Sequence, residues 1–405
     1  MASSTAGRGL STQAAATGVL VALVGYASSV AVVIQGLTAV GASPAQVVSA
    51  LVGVGLAMGL PAMILSRWTR MPVSIAWTTP GMALLAGGAA VEGGFAAAVG
   101  AFVVTGALVM LAGLWAPLGR WVAAIPKPIA NAMLAGILLK LCLAPFVAVG
   151  QAPVVALLVL ATWIVVGRVA RLYAVPAAVA VALAAMVVQA PAGAADGFAW
   201  PAVTLVTPVF TVEALIGLAL PLFVVTMASQ NIPGLAVLHT FGYRPKVPPL
   251  FLLTGAASVV TAPLGAPTVN LAAITAALCA GPDADADRGR RWQAAFVGGL
   301  GYIALGVLAA VTAALVLRSP PILIEAVAGL ALVNAFGGAV QGAVQDEDYR
   351  LPALMTLLTT ASGLTLGGIG SAFWGLVIGG VLVLLHRRSV PAAAPATATR
   401  DSGTQ

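Results

Sequence analysis

Polar side chains interrupt two apolar runs of this chain, and their grouping is typical of a solute-binding site. Tyr26, Ser28 and Ser29 lie inside the first run, and the string Ser229-Gln230-Asn231 lies near the end of another. Neighbouring residues of a helix are rotated by about 100° from one another, so the three side chains of that string cannot all face one adjacent helix. Some of them would face a cavity or unwound backbone. The alternative is that they form hydrogen bonds between packed helices.

A third run has a proline where an extended stretch meets a helix. The string Thr78-Thr79-Pro80-Gly81 follows a β-prone segment that ends at Trp77. Pro80 suits the first turn of a helix, with Thr78 or Thr79 as its N-cap. The pattern predicts a broken span, in which a helix begins inside the membrane.

The same pattern, an extended stretch followed by a helix, occurs again later in the chain. Residues 261–268 predict a second extended segment, followed by a helix from Val269 that carries Asn270. The two helix ends, at Thr79-Pro80-Gly81 and at Ala266-Pro267-Thr268, would attract an anion without any Arg or Lys. The alternative is that these prolines only kink packed helices.

The composition places these runs in a membrane. Of 405 residues, 61% are hydrophobic and 7% are charged, whereas about a quarter of the residues of a soluble protein are charged. A water-soluble globular enzyme is therefore excluded. Each helical crossing needs about 20 apolar residues. The apolar runs predict spans near residues 15–39, 44–66, 72–91, 94–115, 126–146, 152–167, 173–190, 210–231, 247–262, 264–280, 292–316, 321–344, 351–367 and 370–386, fourteen in all.

The basic residues predict the orientation. With the N-terminus inside, an even number of spans places 16 of the 18 Lys and Arg residues in inside loops and tails, leaving Lys140 and Arg318 outside. This segregation marks cytoplasmic loops, so both termini are expected in the cytoplasm and the protein in a bacterial inner membrane. Residues 1–13 and 389–405 are predicted to be tails, the second disordered. The basic residues form no stripe, which argues against nucleic-acid binding.

A weak internal repeat predicts how the spans are arranged. A shift of 201 residues superposes Ala27-Ser28 on Ala228-Ser229 and Pro44 on Pro245. Chance similarity in a chain rich in Ala and Gly is the alternative. A repeat unit of seven spans would lie inverted relative to its partner, an arrangement common in secondary transporters that bind their substrate near the midplane.

Few titratable groups lie within the spans. Glu213, Glu325 and His239 are the candidates for carrying a proton, although the two acids would also reach the interface and His239 would suit a loop. We find no nucleotide-binding, metalloprotease or serine-hydrolase motif, and the acidic run at residues 283–287 is followed at once by arginines. No enzyme activity, cofactor or metal site is therefore predicted.

Four strings resemble the BenE family of benzoate:proton symporters. They lie at residues 24–29 (VGYASS), 70–81 (RMPVSIAWTTPG), 227–234 (MASQNIPG) and 263–274 (PLGAPTVNLAAI). The resemblance covers essentially the whole chain except its tails. It implies an all-α integral membrane protein with fourteen transmembrane spans as a seven-plus-seven inverted repeat, shared with uracil permeases and sulfate permeases, in which spans three and ten are broken.

The resemblance also implies two domains with different roles in transport. Spans 1–4 (residues 14–125) and 8–11 (residues 209–317) would form a core domain, and spans 5–7 (residues 126–191) and 12–14 (residues 320–388) a gate domain. The substrate would lie between the two broken spans, and transport would move the core against the gate. Relatives commonly dimerise through the gate, which leaves a homodimer open.

One departure from the wider fold bears on the substrate. Uracil-permease relatives hold the base with acidic residues on spans eight and ten, where this chain has the neutral residues Ser229, Gln230, Asn231 and Asn270. Carboxylates would repel an anion, so the neutral lining favours a carboxylate substrate over a nucleobase.

The leading hypothesis is therefore a proton-coupled importer of benzoate or a similar aromatic carboxylate. The carboxylate would rest on the two helix ends, and the ring on Tyr26, Trp77 or Phe223. Hydrogen bonds would come from Ser28, Ser29, Thr78, Gln230, Asn231 and Asn270, with Asn334 and Gln341 facing the site from the gate. A same-fold transporter of a nucleobase or an inorganic anion is the alternative, and a passive channel is a weaker one.

Overall fold

The computed structural model describes residues 10–87, 93–189, 202–272, 274–309, 313, 321–366 and 369–389. Its helices are α1 Thr12–Ala27, α2 Val30–Ala39, α3 Pro44–Thr69, α4 Thr79–Gly87, α5 Gly94–Leu114, α6 Ala116–Ala123, α7 Lys127–Gln151, α8 Pro153–Val169, α9 Ala174–Gln189, α10 Val212–Thr240, α11 Val247–Thr261, α12 Ile274–Ala280, α13 Trp292–Val307, α14 Pro321–Val344, α15 Arg350–Ala361 and α16 Ser371–Ser389. Its strands are β1 Ile75–Trp77 and β2 Val269–Leu271. The predicted tails lie outside the described residues, apart from residues 10–13 and Ser389.

Length and composition mark many of these helices as membrane-spanning. Within the described residues, seven helical segments are long and apolar enough to cross a membrane, and three shorter apolar helices accompany them. The predicted integral membrane fold is therefore confirmed. The exact count of fourteen spans stays a prediction.

The two broken spans meet at the strands. β1 and β2 pair antiparallel, with Ala76 opposite Asn270, and each strand leads into a short helix, α4 or α12. Irregular backbone inside a membrane is tolerated only where protein or water surrounds it. Here each strand satisfies the backbone of the other, which confirms the predicted plan of an extended segment followed by a half-helix.

The second half-helix begins later than predicted. Residues 269–271 form β2 and α12 begins only at Ile274, so the expected helix end at residues 266–268 is wrong. Side chains from neighbouring helices hold this backbone extended. Ser258 Oγ accepts the Val269 N–H at 3.0 Å, and Asn231 Oδ1 accepts the Leu271 N–H at 2.9 Å.

α10 continues past residue 231, where the predicted eighth span ended, and runs through Pro233-Gly234. Two π-helical turns, at residues 215–219 and 227–231, lie within it. Pro233 has no N–H to donate, and the wider turn just before it accommodates the missing hydrogen bond without ending the helix. His239 accordingly lies in the last turn of α10 and not in a loop.

α15 ends six residues before the predicted end of span thirteen. The helix stops at Ala361, and Gly363 follows with φ +70°, the left-handed conformation that favours glycine after a helix. Ser362 and Gly363 after α15 and Gly370 before α16 line a cavity described below.

The helices pack in two groups. In one, α13 packs on α3 and α1, α11 packs on α5, and α4 packs on α2; in the other, α7 packs along α14 and α15, and α16 packs on α15. α4 and α2 also touch α7 and α14, where the groups meet. The boundaries of the core and gate domains stay predictions.

Several basic loops and the N-terminal end of α1 share one face of the molecule, called here the basic face. Arg67 and Arg70 stack on the ring of Trp292, and Arg288 stacks on Tyr243. The Ser11 N–H donates to Gln293 Oε1 at 2.7 Å, which fixes the start of α1 to the same loops. The side of the membrane that this face meets is a prediction from its charge.

Candidate substrate site

Thr78 joins β1 to α4 and caps the helix, as predicted. Its Oγ1 accepts the Gly81 N–H at 3.3 Å, and its carbonyl accepts the Met82 N–H at 2.8 Å. Pro80 has no N–H. Among the first residues of this helix, only Thr79 therefore keeps a free N–H. The hydroxyl of Thr79 is half-buried and makes no hydrogen bond to the described residues.

Asn270 fixes the same junction from the other strand. It is fully buried, and its amide fits its surroundings when the oxygen accepts the Thr78 N–H at 3.1 Å and the nitrogen donates to the Leu271 carbonyl at 2.9 Å. The hydroxyl of Thr226 on α10 donates to Thr78 Oγ1 at 2.9 Å. Thr226 was not predicted, although a threonine one turn before the polar string of α10 is the signal that would have found it.

Asn231 also supports the strands. It is fully buried, its Oδ1 accepts the Leu271 N–H, and its Nδ2 faces the sulfur of Met227 at 3.3 Å. A fully buried amide whose oxygen is already bonded to backbone is positioned to hold β2 in place. The structure thus gives Asn231 and Asn270 supporting contacts, and their predicted contact with substrate is untested.

The break between α1 and α2 lies beside Trp77. The hydroxyls of Ser28 and Ser29 both donate to the Gly25 carbonyl at 3.2 Å. Trp77 Nε1 donates to Ser29 Oγ at 2.9 Å, and the Tyr26 and Trp77 rings lie 5.3 Å apart between centroids. The predicted aromatic and hydroxyl groups of spans one and three therefore form one cluster.

Exposure separates the predicted site residues into two sets. Four are half-buried and able to face a solute, namely Ser28, Thr79, Ser229 and Gln230. The buried set comprises Tyr26, Ser29, Trp77, Thr78, Pro80, Gly81, Asn231, Pro267, Thr268 and Asn270. Ser229 donates its hydroxyl to the Val225 carbonyl. Gln230 makes no hydrogen bond to the described residues, so its amide is available.

The remaining predicted lining residues are dispersed. Phe223 is buried within α10, and Asn334 and Gln341 are exposed on α14. The Thr268 hydroxyl is buried and has no hydrogen-bond partner among the described residues, while its carbonyl accepts the Thr78 N–H at 3.2 Å. The predicted substrate residues that contact one another therefore come from the α1–α2 break, α4 and α10 more than from the segment before β2.

The three proton-coupling candidates do not form a cluster. Glu213 lies in the first turn of α10 and lines a cavity, whereas His239 is exposed in the last turn of the same helix. About 26 residues of helix separate them, roughly 39 Å. Glu325 is half-buried near the start of α14. No group of three or more metal-binding side chains occurs in the part of the chain that the structure describes.

Close packing fixes the α4 end against its neighbours. A methyl group on Gly36 of α2 would lie 2.6 Å from the Met82 carbonyl, and one on Gly81 would collide with Leu222 of α10. The space for a side chain is absent at both positions. α2, α4 and α10 therefore hold the cluster as one packed unit.

Two characterised solved structures share this fold. The transmembrane domain of a cyanobacterial bicarbonate transporter, BicA, superposes with a TM-score of 0.57 at 16% identity, covering 91% of this chain and 95% of that one. SLC26A9 superposes with a TM-score of 0.64 at 11% identity, covering 92% of this chain and 65% of that one. Likeness at this low identity shows the shared fold alone.

Sequence comparison gives the family. The model of the BenE family, described as benzoate membrane transport protein, matches residues 9–385. The inner membrane protein YdcO of Escherichia coli K12 is 41% identical over 90% of this chain and 93% of its own. The benzoate membrane transport protein of Acinetobacter baylyi ADP1 is 30% identical over 91% of this chain and 94% of its own. The chain therefore belongs to the BenE family of benzoate membrane transport proteins and is a multi-pass transporter of the inner membrane.

Proposed function

We propose that the protein imports benzoate or a similar aromatic carboxylate together with protons, by alternating access. Family membership and the name of the Acinetobacter relative support benzoate as the first substrate to test. Every residue predicted to contact the substrate is uncharged. This neutrality carries the proposal, because a carboxylate is held well by neutral donors and repelled by acids.

The substrate carboxylate would lie at the α4 end. It would accept hydrogen bonds from the Thr79 N–H and hydroxyl and from the Gln230 amide, and the partial positive charge of the helix end would add to them. The ring would pack on the side of the cluster formed by Tyr26 and Trp77. Neutral donors bind an anion without the desolvation penalty of a buried lysine, which suits a site that must also release its substrate.

Alternating access would use the boundary between the two helix groups. The close contact of Gly36 with Met82 ties α2 to α4, and Gly329 of α14 lies directly against the Leu141 carbonyl of α7. Each group is therefore tightly packed within itself. Sliding of α4 and α2 against α7 and α14 would expose Thr79 to either side of the membrane.

Proton coupling has two physical routes. Either Glu213, Glu325 or His239 binds the proton, or the acid crosses already protonated. Glu213→Gln, Glu325→Gln and His239→Ala separate the routes, because loss of proton-driven accumulation in one variant, with exchange of benzoate retained, identifies a carrier side chain. Unchanged accumulation in all three favours the protonated acid.

Uptake into proteoliposomes tests the proposal. We expect labelled benzoate to accumulate above its equilibrium level when an inward proton gradient is imposed, and neither uracil nor sulfate to compete. Flux that never exceeds equilibrium would indicate a channel, and competition by uracil or sulfate would indicate another solute. A homodimer is part of the proposal and is tested by the mass of the detergent-solubilised protein.

A further inference from the structure

A cavity of about 340 Å³ lies between the two helix groups, away from the basic face. We call it the Lys140 cavity. Lys140 of α7, Glu213 of α10 and Ser371 of α16 contribute its polar wall, and Leu84, Leu85 and Ile137 contribute apolar side chains. Its volume falls within the range of small-molecule sites, roughly 300–1,000 Å³.

Lys140 is the cation of this cavity. Its side chain is exposed and forms no ion pair within the described residues, although Glu213 lines the same cavity. A charge inside the span of a membrane protein is unfavourable unless a partner or a ligand compensates it. Snorkelling to the interface is the simple expectation for a lysine here, and the exposed side chain also lines this partly open cavity, where an anion has access to it.

The N-terminal end of α16 adds positive potential to the same wall. Residues 370–372 line the cavity at the start of this 19-residue helix. Ser371 Oγ donates to the Thr360 carbonyl at 2.8 Å, which fixes the helix end against α15. Lys140 and the α16 end attract an anion, whereas the Glu213 carboxylate repels one, so a carboxylate would bind on the side of the cavity where α16 packs on α7.

α4 connects this cavity to the candidate substrate site. Leu84, Leu85 and Gly87 at its C-terminal end line the cavity, whereas Thr79 begins the helix at the site. Eight residues of helix separate Thr79 from Gly87, about 12 Å. A solute in the cavity would lie one short helix away from the site.

We propose that the Lys140 cavity is a second binding site, which captures the carboxylate of an aromatic acid before it reaches Thr79. Lys140 and the α16 end bind the carboxylate, and Leu84, Leu85 and Ile137 receive the ring. The assignment of the ligand rests on the proposed function. Capture at this site raises the local concentration of the anion and lowers the concentration needed for half-maximal uptake.

Initial rates of benzoate uptake into right-side-out vesicles test the proposal. Lys140→Gln is expected to raise KM about tenfold with Vmax within about twofold, whereas Lys140→Arg keeps the charge and the KM. Raising the ionic strength from about 0.01 M to about 1 M weakens charge attraction. We therefore expect salt to raise the KM of the wild type and to have little effect on Lys140→Gln.

Lys127→Gln is the matched control, because Lys127 begins the same helix, 13 residues before Lys140 and outside the cavity lining. Equal KM and equal salt dependence for Lys140→Gln and Lys127→Gln would overturn the capture site and leave the proposed function standing. If the wild type moves no benzoate, the proposed function fails. The cavity is then tested by equilibrium binding of benzoate to the purified protein, where weaker binding by Lys140→Gln than by Lys127→Gln supports it and equal binding overturns it.

Discussion

The two broken spans share a backbone plan and differ in chemistry. α4 has nine residues, a Thr78 cap and a half-buried Thr79, whereas α12 has seven residues and follows Ala272. Thr275 in the first turn of α12 is buried, and its hydroxyl is hydrogen-bonded to that of Ser74 at 2.8 Å. We therefore expect the α4 end to be open to a solute and the α12 end to be closed by protein.

From this difference we expect the repeat to be symmetric in its backbone and asymmetric in its function. β2 is held by Asn231 and Ser258 from other helices, while the backbone before α4 is completed by β2 itself. β2, in the second half of the repeat, therefore supports the junction of β1 and α4 in the first half. Substitutions in the β2 support should affect folding, and substitutions at the α4 end should affect substrate affinity.

The largest effect is expected from Asn231→Ala. It leaves the buried Leu271 N–H without an acceptor, a loss of about 1–3 kcal/mol in stability, and should abolish uptake. Melting of the protein in detergent measures it. Gln230→Ala, one residue away and half-buried, is the control, and should keep the melting temperature while weakening benzoate binding. Equal stability of the two variants would contradict the supporting role of Asn231.

The paired substitutions Thr79→Val and Thr275→Val compare the two helix ends directly. Thr79→Val removes a free hydroxyl at the open end and should raise KM for benzoate about tenfold with unchanged melting temperature. Thr275→Val removes the hydrogen bond to Ser74 and should lower stability by about 1 kcal/mol with little change in KM. Initial-rate uptake and thermal melting are both measured. A reversed pattern would assign the substrate to α12.

Trp77→Phe tests what the aromatic cluster beside α4 contributes to stability and to benzoate binding. It removes the hydrogen bond to Ser29 and keeps an aromatic ring beside Tyr26. We expect a loss of about 1 kcal/mol in stability and a KM rise of at most about threefold. Trp77→Ala should raise KM further. If the two variants bind benzoate equally, the ring does not contribute to binding.

The smallest effect concerns the loop that follows α12 on the basic face. A hydrogen bond from Ser11, aided by the nearby Arg290 and Arg291, holds the pKa of Asp285 below its usual range. A carboxyl with a lowered pKa contributes stability above its unfolded pKa of about 4, and this contribution is lost as the pH falls through the folded value.

Asp285→Asn should therefore lower the melting temperature by at most about 2–4 °C at neutral pH, with the difference shrinking below about pH 4. Melting curves of both proteins between neutral and acid pH check it. Asp283→Asn on the same loop is the control. A difference that grows on acidification would contradict the assigned role of Asp285.

The α4 half of the site was predictable because its signals are local. Pro80 and the preceding threonines specify a cap and a first turn, and the structure forms both there. Pro267 carried the same local signal, yet the chain stays extended beyond it. The side chains that decide this, Ser258 and Asn231, come from other helices, and a contact across 40 residues cannot be read from spacing along the chain.

The other differences between the predicted and the observed structure also arise from contacts between residues that are distant in sequence. The predicted eighth span ended at residue 231, yet α10 runs on through Pro233 because a π-helical turn accommodates the missing hydrogen bond. The residue types of that turn do not distinguish it from an ordinary helix. Lys140 and Glu213 lie far apart in sequence and line one cavity only because α7 and α10 meet. Composition and hydrophobic patterning were enough to predict the fold class. Which residues line the site and the Lys140 cavity depends on packing between distant spans.

The pairing of β1 with β2 also sets an order for biosynthesis. Ala76 and Asn270 pair across about 190 residues, which a ribosome takes about 10–40 s to synthesise. Throughout that interval the backbone of β1 lacks its partner strand, at a depth where lipid offers no hydrogen bonds. Span three must therefore wait in a hydrated or chaperoned environment, and a chain truncated before β2 should be recognised and degraded by the quality-control proteases of the membrane.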